Sequence, residues 1–304
     1  MTECKTYSPQ YLWDELMLHP LLLCLGSLSL SMLMSRLIFG VLDWRPVTIT
    51  VASDILAIGI DHYFDHGSSL AFARKTGDLA TLSVFAQARL MLITSTVVLG
   101  AALLCSPPLT WAMVIIFFGP ACIWDFNLLR LFEHRMSNEF GEGRRTKRKL
   151  SVKRIPGIKN VIVGIIRGGG TFAVVYSVLE PMASSISSNS QIWTAEQIVI
   201  WSIVNRGCHS VMGDIRDFHD DQEKQVPTIP VLLNSVYKCK ILLTALHMLV
   251  SFAYIENPYI VFASFYASTF VWILDTDTPR KLFHFSFQSQ TIVGLVYYIV
   301  QCTR

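Results

Sequence analysis

Apolar stretches close to the length needed to cross a bilayer, roughly 20 residues, recur from one end of this 304-residue chain to the other, and no other feature restricts its fold as severely. Inside hydrocarbon there is no water to satisfy backbone N–H and C=O groups, so segments of this kind become helices that pair those groups internally. The stretches fall at about 16–42, 47–64, 83–105, 108–129, 158–180, 194–213, 237–255, 258–274 and 286–302. They predict an all-α integral membrane protein of nine transmembrane helices, a single domain over 1–304. Composition agrees: 52% hydrophobic and 15% charged residues, with a mean hydropathy of +0.45, exclude an ordinary soluble globular protein. Proline marks several short joints, DWRP at 43–46, SPP at 106–108 and ENP at 256–258, where a helix stops and the chain turns back. Asp14 and Glu15 precede the first apolar run and no small-residue cleavage site follows it, so a retained first helix is expected rather than a signal peptide.

With the N-terminus cytoplasmic, the basic residues sort by side. One set of loops receives Arg74 and Lys75, the GRRTKRKLSVKR run, Arg216 and Lys224, and Arg280 and Lys281. The other receives Arg45 and Arg304, while its longest loop, EPMASSISSNSQIW, has neither Lys nor Arg. The positive-inside rule makes the first set cytoplasmic. The endoplasmic reticulum is the expected membrane if the source is eukaryotic. The RRTKRK run reads as a topology signal that meets anionic membrane lipid. Seven cysteines without a CxxC pair or any His/Cys ligand spacing argue against zinc and against a disulfide framework, and a net charge of +3 implies no nucleic-acid partner.

Chemistry concentrates where two helices end. DHYFDH closes the second span and puts Asp61 and Asp65 four residues apart, on one helical face. GDIRDFHDDQEKQVPTIP closes the sixth, where Asp214, Asp217 and Asp221 follow an i, i+3, i+7 stripe with Asp220 off it. Both clusters reach the cytoplasmic boundary and are expected to face each other. Two such clusters would repel unless cations lay between them. Mg²⁺ is held by one or two carboxylates together with substrate phosphates, so the pattern points to a diphosphate head group clamped by metal with its hydrocarbon tail among the helices. Charged helix ends that are simply solvated are the plainer alternative.

The stretch Asp214-x-x-Asp217-x-x-x-Asp221, with Thr228-Ile229-Pro230 seven residues on, resembles the second aspartate motif of the UbiA superfamily of intramembrane prenyltransferases. Asp61 and Asp65 fall where that family carries NxxxDxxxD, with Ala57 in place of the Asn. KRIPGIKNVIVG at 153–164 is similar to the segment that opens the family's fifth helix. The resemblance implies a nine-helix bundle with a cytoplasm-facing active-site mouth, and makes Lys153 and Lys159 phosphate contacts. It also implies Mg²⁺-dependent ionisation of a prenyl diphosphate of farnesyl or geranylgeranyl size in isoprenoid biosynthesis. The metal would sit on Asp61, Asp65, Asp214, Asp217 and Asp221, which thereby become the catalytic set.

Arg89, Arg167 and Arg206 lie inside spans, where an ionisable group normally faces a cavity or a partner. Arg206 is about two turns deeper than Asp214; it and Arg167 are candidates to touch the diphosphate, with pairing to an aspartate as the alternative. Aromatic residues, among them Trp201, Tyr254, Phe262, Phe265, Tyr266, Phe270 and Trp272, are candidates to steady an allylic cation, with packing or lipid contact as the alternative. Ala57 and the loop HGSSLAFARKTGD depart from the family pattern, which favours a divergent branch freed from orienting an acceptor, hence a terpene cyclase. Transfer of the prenyl group to an aromatic or lipophilic acceptor is the second reading, and an ion-coupled transporter the third.

Overall fold

The computed structural model describes residues 7–123, 157–183, 193–286 and 288–302; it is helical, with no strand among the described residues. Helix α1 runs over Pro9–Phe39 and holds a π turn at Asp14–Leu18. Ser8 caps it, its Oγ accepting from the Tyr11 amide, with Pro9 at the first helical position; Gly40, at φ 69°, ends it in the left-handed region. Asp43 then caps α2 (Trp44–Asp65), accepting from the Arg45 amide at 2.8 Å and pairing with the Arg45 guanidinium at 2.6 Å. The DWRP stretch is therefore a stop followed at once by a start.

The HGSSLAFARKTGD stretch, expected to be a loop, is mostly a ten-residue helix, α3 (Gly67–Thr76). Leu70 and Ala73 are buried under it while Arg74 and Lys75 stay exposed, so one apolar edge was enough to fold it onto its neighbours. Gly77 at φ 74° ends α3, and Asp78 caps α4 (Leu79–Leu104) by accepting from the Ala80 and Thr81 amides. Helix α5 (Pro108–Ile123) follows. Helix α6 is built from Ile158–Gly164, a π turn Ile165–Gly170, and Thr171–Ala183. Helix α7 (Ala195–Arg216) opens on a capping box between Thr194 and Gln197. Two short helices, α8 (Phe218–Glu223) and α9 (Ile229–Leu232), lead to α10 (Val236–Ala253), α11 (Pro258–Ile273), α12 (Arg280–Ser286) and α13 (Ser289–Cys302).

Among the described residues, five helices are long and apolar enough to cross a membrane: Pro9–Phe39, Trp44–Asp65, Leu79–Leu104, Ile158–Pro181 and Val236–Ala253. Pro108–Pro120, Pro258–Ile273 and Ser289–Val300 are apolar but shorter. Outward residues of the long helices, such as Leu90, Ile93 and Val97 on α4 and Leu249 and Phe252 on α10, are exposed hydrophobics of the kind that lipid covers. Arg89 is also on an exposed face of α4, away from the interior, where its long stem suits snorkelling.

Helix α7 is the hub. It packs against α6, α10 and α12 and carries an unusual load of enclosed polar groups: Ser202, Asn205, Arg206, His209 and Asp214. Its contact with α6 is a backbone contact. A methyl group on Gly164 would meet the Ile203 carbonyl oxygen at 2.6 Å, and one on Gly168 would meet the Ile203 nitrogen at 2.6 Å. Small residues at this spacing let the two helix axes approach as they do in membrane bundles. The π turn lies in the same segment, and Arg167 emerges from it toward the interior.

Candidate functional site

The C-terminal ends of α2 and α7 border one cavity of about 350 Å³. Helix α2 contributes an acidic wall, Asp54, Ala57, Asp61 and Asp65, at the spacing of a single helical face. Helix α7 contributes Arg206, His209, Ser210, Gly213 and Arg216, again one face, and Lys159 and Arg167 come from α6. The ends of α2 and α7 thus share one cavity, but the two acid clusters expected to face each other do not meet across it, since Asp214, Asp217 and Asp221 are not among its lining residues. The α7 stripe that faces the cavity is basic, and its acids turn elsewhere.

Asp214 is 4% exposed and accepts from Asn160 Nδ2 at 2.8 Å and from Lys159 Nζ at 3.3 Å; Ser210 holds Asn160 in turn, donating to its Oδ1 at 2.5 Å. Lys159, Asn160 and Asp214, together with Asp221, Thr228 and Gly157, line a smaller pocket of about 70 Å³. Asp217 is the joint between α7 and α8, at φ −98° and ψ 12°, so the acidic stripe is interrupted there rather than continuous. Its carboxylate takes two bonds from the Arg216 guanidinium, at 3.0 and 2.7 Å. Asp221, half-buried on α8, has its carboxyl pushed up to about 6, first by burial and then by the charges of Asp214 and Asp217. Lys159 lines both the large cavity and the small pocket and so links the two acid clusters.

Internal cations therefore already relieve much of the repulsion that sequence reasoning assigned to metal. Among the described residues no group of three or more His, Cys, Asp or Glu side chains is placed to hold a metal ion. Asp61 and Asp65, both bordering the cavity, still offer the hard oxygen pair that Mg²⁺ uses when a substrate phosphate and water complete its shell. The donor chemistry fits a metal that arrives with its substrate.

Deeper in, Asp54 is 2% exposed and accepts from Arg167 Nη2 at 2.7 Å and Nε at 3.2 Å, as well as from the Ser27 hydroxyl. Arg167 Nη2 also donates to the Leu23 carbonyl at 3.0 Å. Arg167 lines the cavity, but its charge is matched by Asp54, a residue that sequence reasoning left without a role. The signal for that pair was present: two ionisable residues inside spans require each other. Arg206, by contrast, reaches no acid within hydrogen-bond distance among the described residues. Lys153, the other expected phosphate contact, lies outside the described residues. At the rim, His62 pairs with Glu15 at 3.3 Å and its ring lies 4.9 Å from that of His19.

None of the aromatic residues named above lines the cavity. Trp201 is buried against Trp193, while Phe262, Phe265 and Trp272 are exposed on the outside of α11. The apolar wall is aliphatic, with Leu23, Ile58, Ile162, Val163 and Ile166. Asp275, in the loop after α11, accepts from Lys240 at 2.8 Å, which holds its carboxyl below the usual carboxylate range.

A multi-helix bundle with apolar outer faces and a charged cavity at one end defines a membrane protein with an enclosed polar site. No protein-family model, curated protein or solved structure matches this chain.

Proposed function

We propose that the chain is a UbiA-type membrane enzyme that ionises a prenyl diphosphate of farnesyl or geranylgeranyl size with Mg²⁺, in a nine-helix bundle whose mouth and N-terminus are cytoplasmic. The carrying observation is the pairing of an acidic wall, Asp61 and Asp65, with basic groups, Lys159 and Arg216, across one cavity at the end of an apolar bundle. A polyanion with a greasy tail, brought in with divalent cations, complements both walls and the interior.

Magnesium held by Asp61 and Asp65 would offset the charge that develops on the departing diphosphate. Lys159 and Arg216 reach the same oxyanion from the opposite side, in a position to release Asp214 and Asp217 as they do so. The allylic carbon–oxygen bond breaks, its electron pair leaves with diphosphate, and a proton leaves when the cation closes on a double bond of its own chain. The aliphatic walls exclude water meanwhile. We favour cyclisation over transfer to a lipophilic acceptor because Ala57 lines the cavity where the family pattern has Asn, leaving no side-chain amide there to orient a second substrate.

The buried Asp54–Arg167 pair beside a π turn favours a second reading, an ion-coupled transporter. Purified protein in liposomes, supplied with farnesyl or geranylgeranyl diphosphate and Mg²⁺, separates the readings. The enzyme releases inorganic diphosphate and, without any acceptor, a cyclic hydrocarbon. Release that requires an aromatic acceptor identifies the transferase, and absence of release with every prenyl diphosphate overturns the proposal.

A further inference from the structure

Arg206 is 2% exposed, and its Nε, Nη1 and Nη2 atoms all lack a hydrogen-bond partner among the described residues. A guanidinium stays protonated in proteins, so this is a buried, positively charged group with none of its donors satisfied. Its place is built for it. The guanidinium lies against Gly26 of α1, where an added methyl would come within 2.5 Å of Nη2 and 2.7 Å of Nη1. Arg206 is also one of the residues that line the cavity, and since each of its nitrogens is covered, an anion there reaches the guanidinium by a small shift of its side chain.

Charge and depth say what that ligand is. Arg167 and Asp54 cancel, leaving Arg206, among the described residues, as the uncompensated positive charge at the inner end. One negative charge neutralises it, whereas a di- or trivalent anion would leave excess charge in a low-dielectric interior. Gly213 and Arg216, at the mouth, are seven and ten residues further along α7, about 10 to 15 Å away at the helical rise. A diphosphate held at Asp61 and Asp65 would be separated from Arg206 by a comparable step, since Asp54, on the inner level, is about 10 Å from Asp61 along α2.

We propose that Arg206 forms a second, inner subsite that binds one monovalent anion, either an inorganic halide or the carboxylate of a small organic molecule. The subsite does not depend on the prenyl diphosphate reading, and its test contains neither Mg²⁺ nor prenyl substrate. Full-length protein in detergent is assayed for binding of radiolabelled chloride and for its thermal midpoint in chloride, acetate, benzoate and gluconate at constant ionic strength. We expect saturable chloride binding and a midpoint about 2 °C or more higher in the bound anion than in gluconate. Arg206→Gln abolishes both effects and, having lost an unpaired buried charge, is at least as stable as wild type in gluconate. Gly26→Ala, which crowds the guanidinium but keeps its charge, weakens chloride binding by about tenfold or more and serves if Arg206→Gln does not fold. Benzoate or acetate displacing chloride assigns the natural source to an organic carboxylate; failure to displace it assigns an inorganic ion. Absence of saturable anion binding in wild type, or equal binding in both variants, overturns the subsite.

Discussion

A carboxylate at the middle of an intramembrane helix survives because a cation lies within hydrogen-bond reach, and for Asp54 that cation is Arg167. Removing one member strands the other in low dielectric at a cost of about 3–5 kcal/mol, whereas replacing both with apolar groups is often neutral. Asp54→Leu should therefore lower the thermal midpoint strongly, and Asp54→Leu with Arg167→Met should restore most of it; a double variant no better than the single would mean that the pair is not coupled. Asp221 gives a pH dependence. Its carboxyl is raised from 3.8 to about 6, so the native protein favours the protonated form. The stability this contributes is fully present below about 4 and is lost as pH rises through about 6. A stability profile that slopes down over that window in wild type and flattens in Asp221→Asn is expected. On the proposed chemistry, Asp61→Asn cuts diphosphate release by about 100-fold or more without loss of membrane insertion. Unchanged release would remove Asp61 from the reaction.

At the scale of elements, α6 and α7 are held by backbone contact at Gly164 and Gly168. Backbone cannot yield as a flexible side chain can, so Gly168→Ala must push the helices apart and should cost about 1–3 kcal/mol. Gly100→Ala, on α4 with nothing within 4 Å of the new methyl, is the matched control. It should be neutral or slightly stabilising, because alanine is the better helix former by about 1 kcal/mol. Equal losses in the two variants, read as thermal midpoints in detergent, would count against close approach as the cause. Sequence made the long helices and their joints legible because length, proline and capping residues act locally. It did not reveal α3, since a ten-residue helix with a narrow apolar edge looks like a polar loop until its neighbours are in place. The bend of the Asp214, Asp217 and Asp221 stripe was hidden for the same reason: spacing alone assumes that α7 continues, and the break at Asp217 is set by how Arg216 and the following chain fold back.

For the whole molecule, what could be read in advance was that charges would gather at one end, because both acid clusters close apolar runs and must leave hydrocarbon where those runs stop. Which charge faces which required the fold. The α7 acids turn toward Lys159, Asn160 and their own Arg216, while the cavity receives the α7 arginines, an exchange of faces that a spacing argument cannot resolve without knowing the rotation of α7. The same architecture fixes a test of orientation. Arg45, near the start of α2, donates to the Cys105 carbonyl just beyond the end of α4 at 3.1 Å, so Cys105 marks the end of the bundle opposite the mouth. Lys75, on α3, is exposed near Asp65 in the chain and marks the mouth end. Cys105 is exposed and reduced, whereas Cys24, Cys208 and Cys239 are buried. With Cys4, Cys122 and Cys302 replaced by Ser, a membrane-impermeant maleimide added to sealed vesicles whose cytoplasmic face is outward should spare Cys105 until detergent is added. A Lys75→Cys variant should label at once. Labelling of both residues before detergent would place the two ends on one side and dismantle the bundle; labelling of Cys105 alone would invert it and put the acidic mouth on the non-cytoplasmic side.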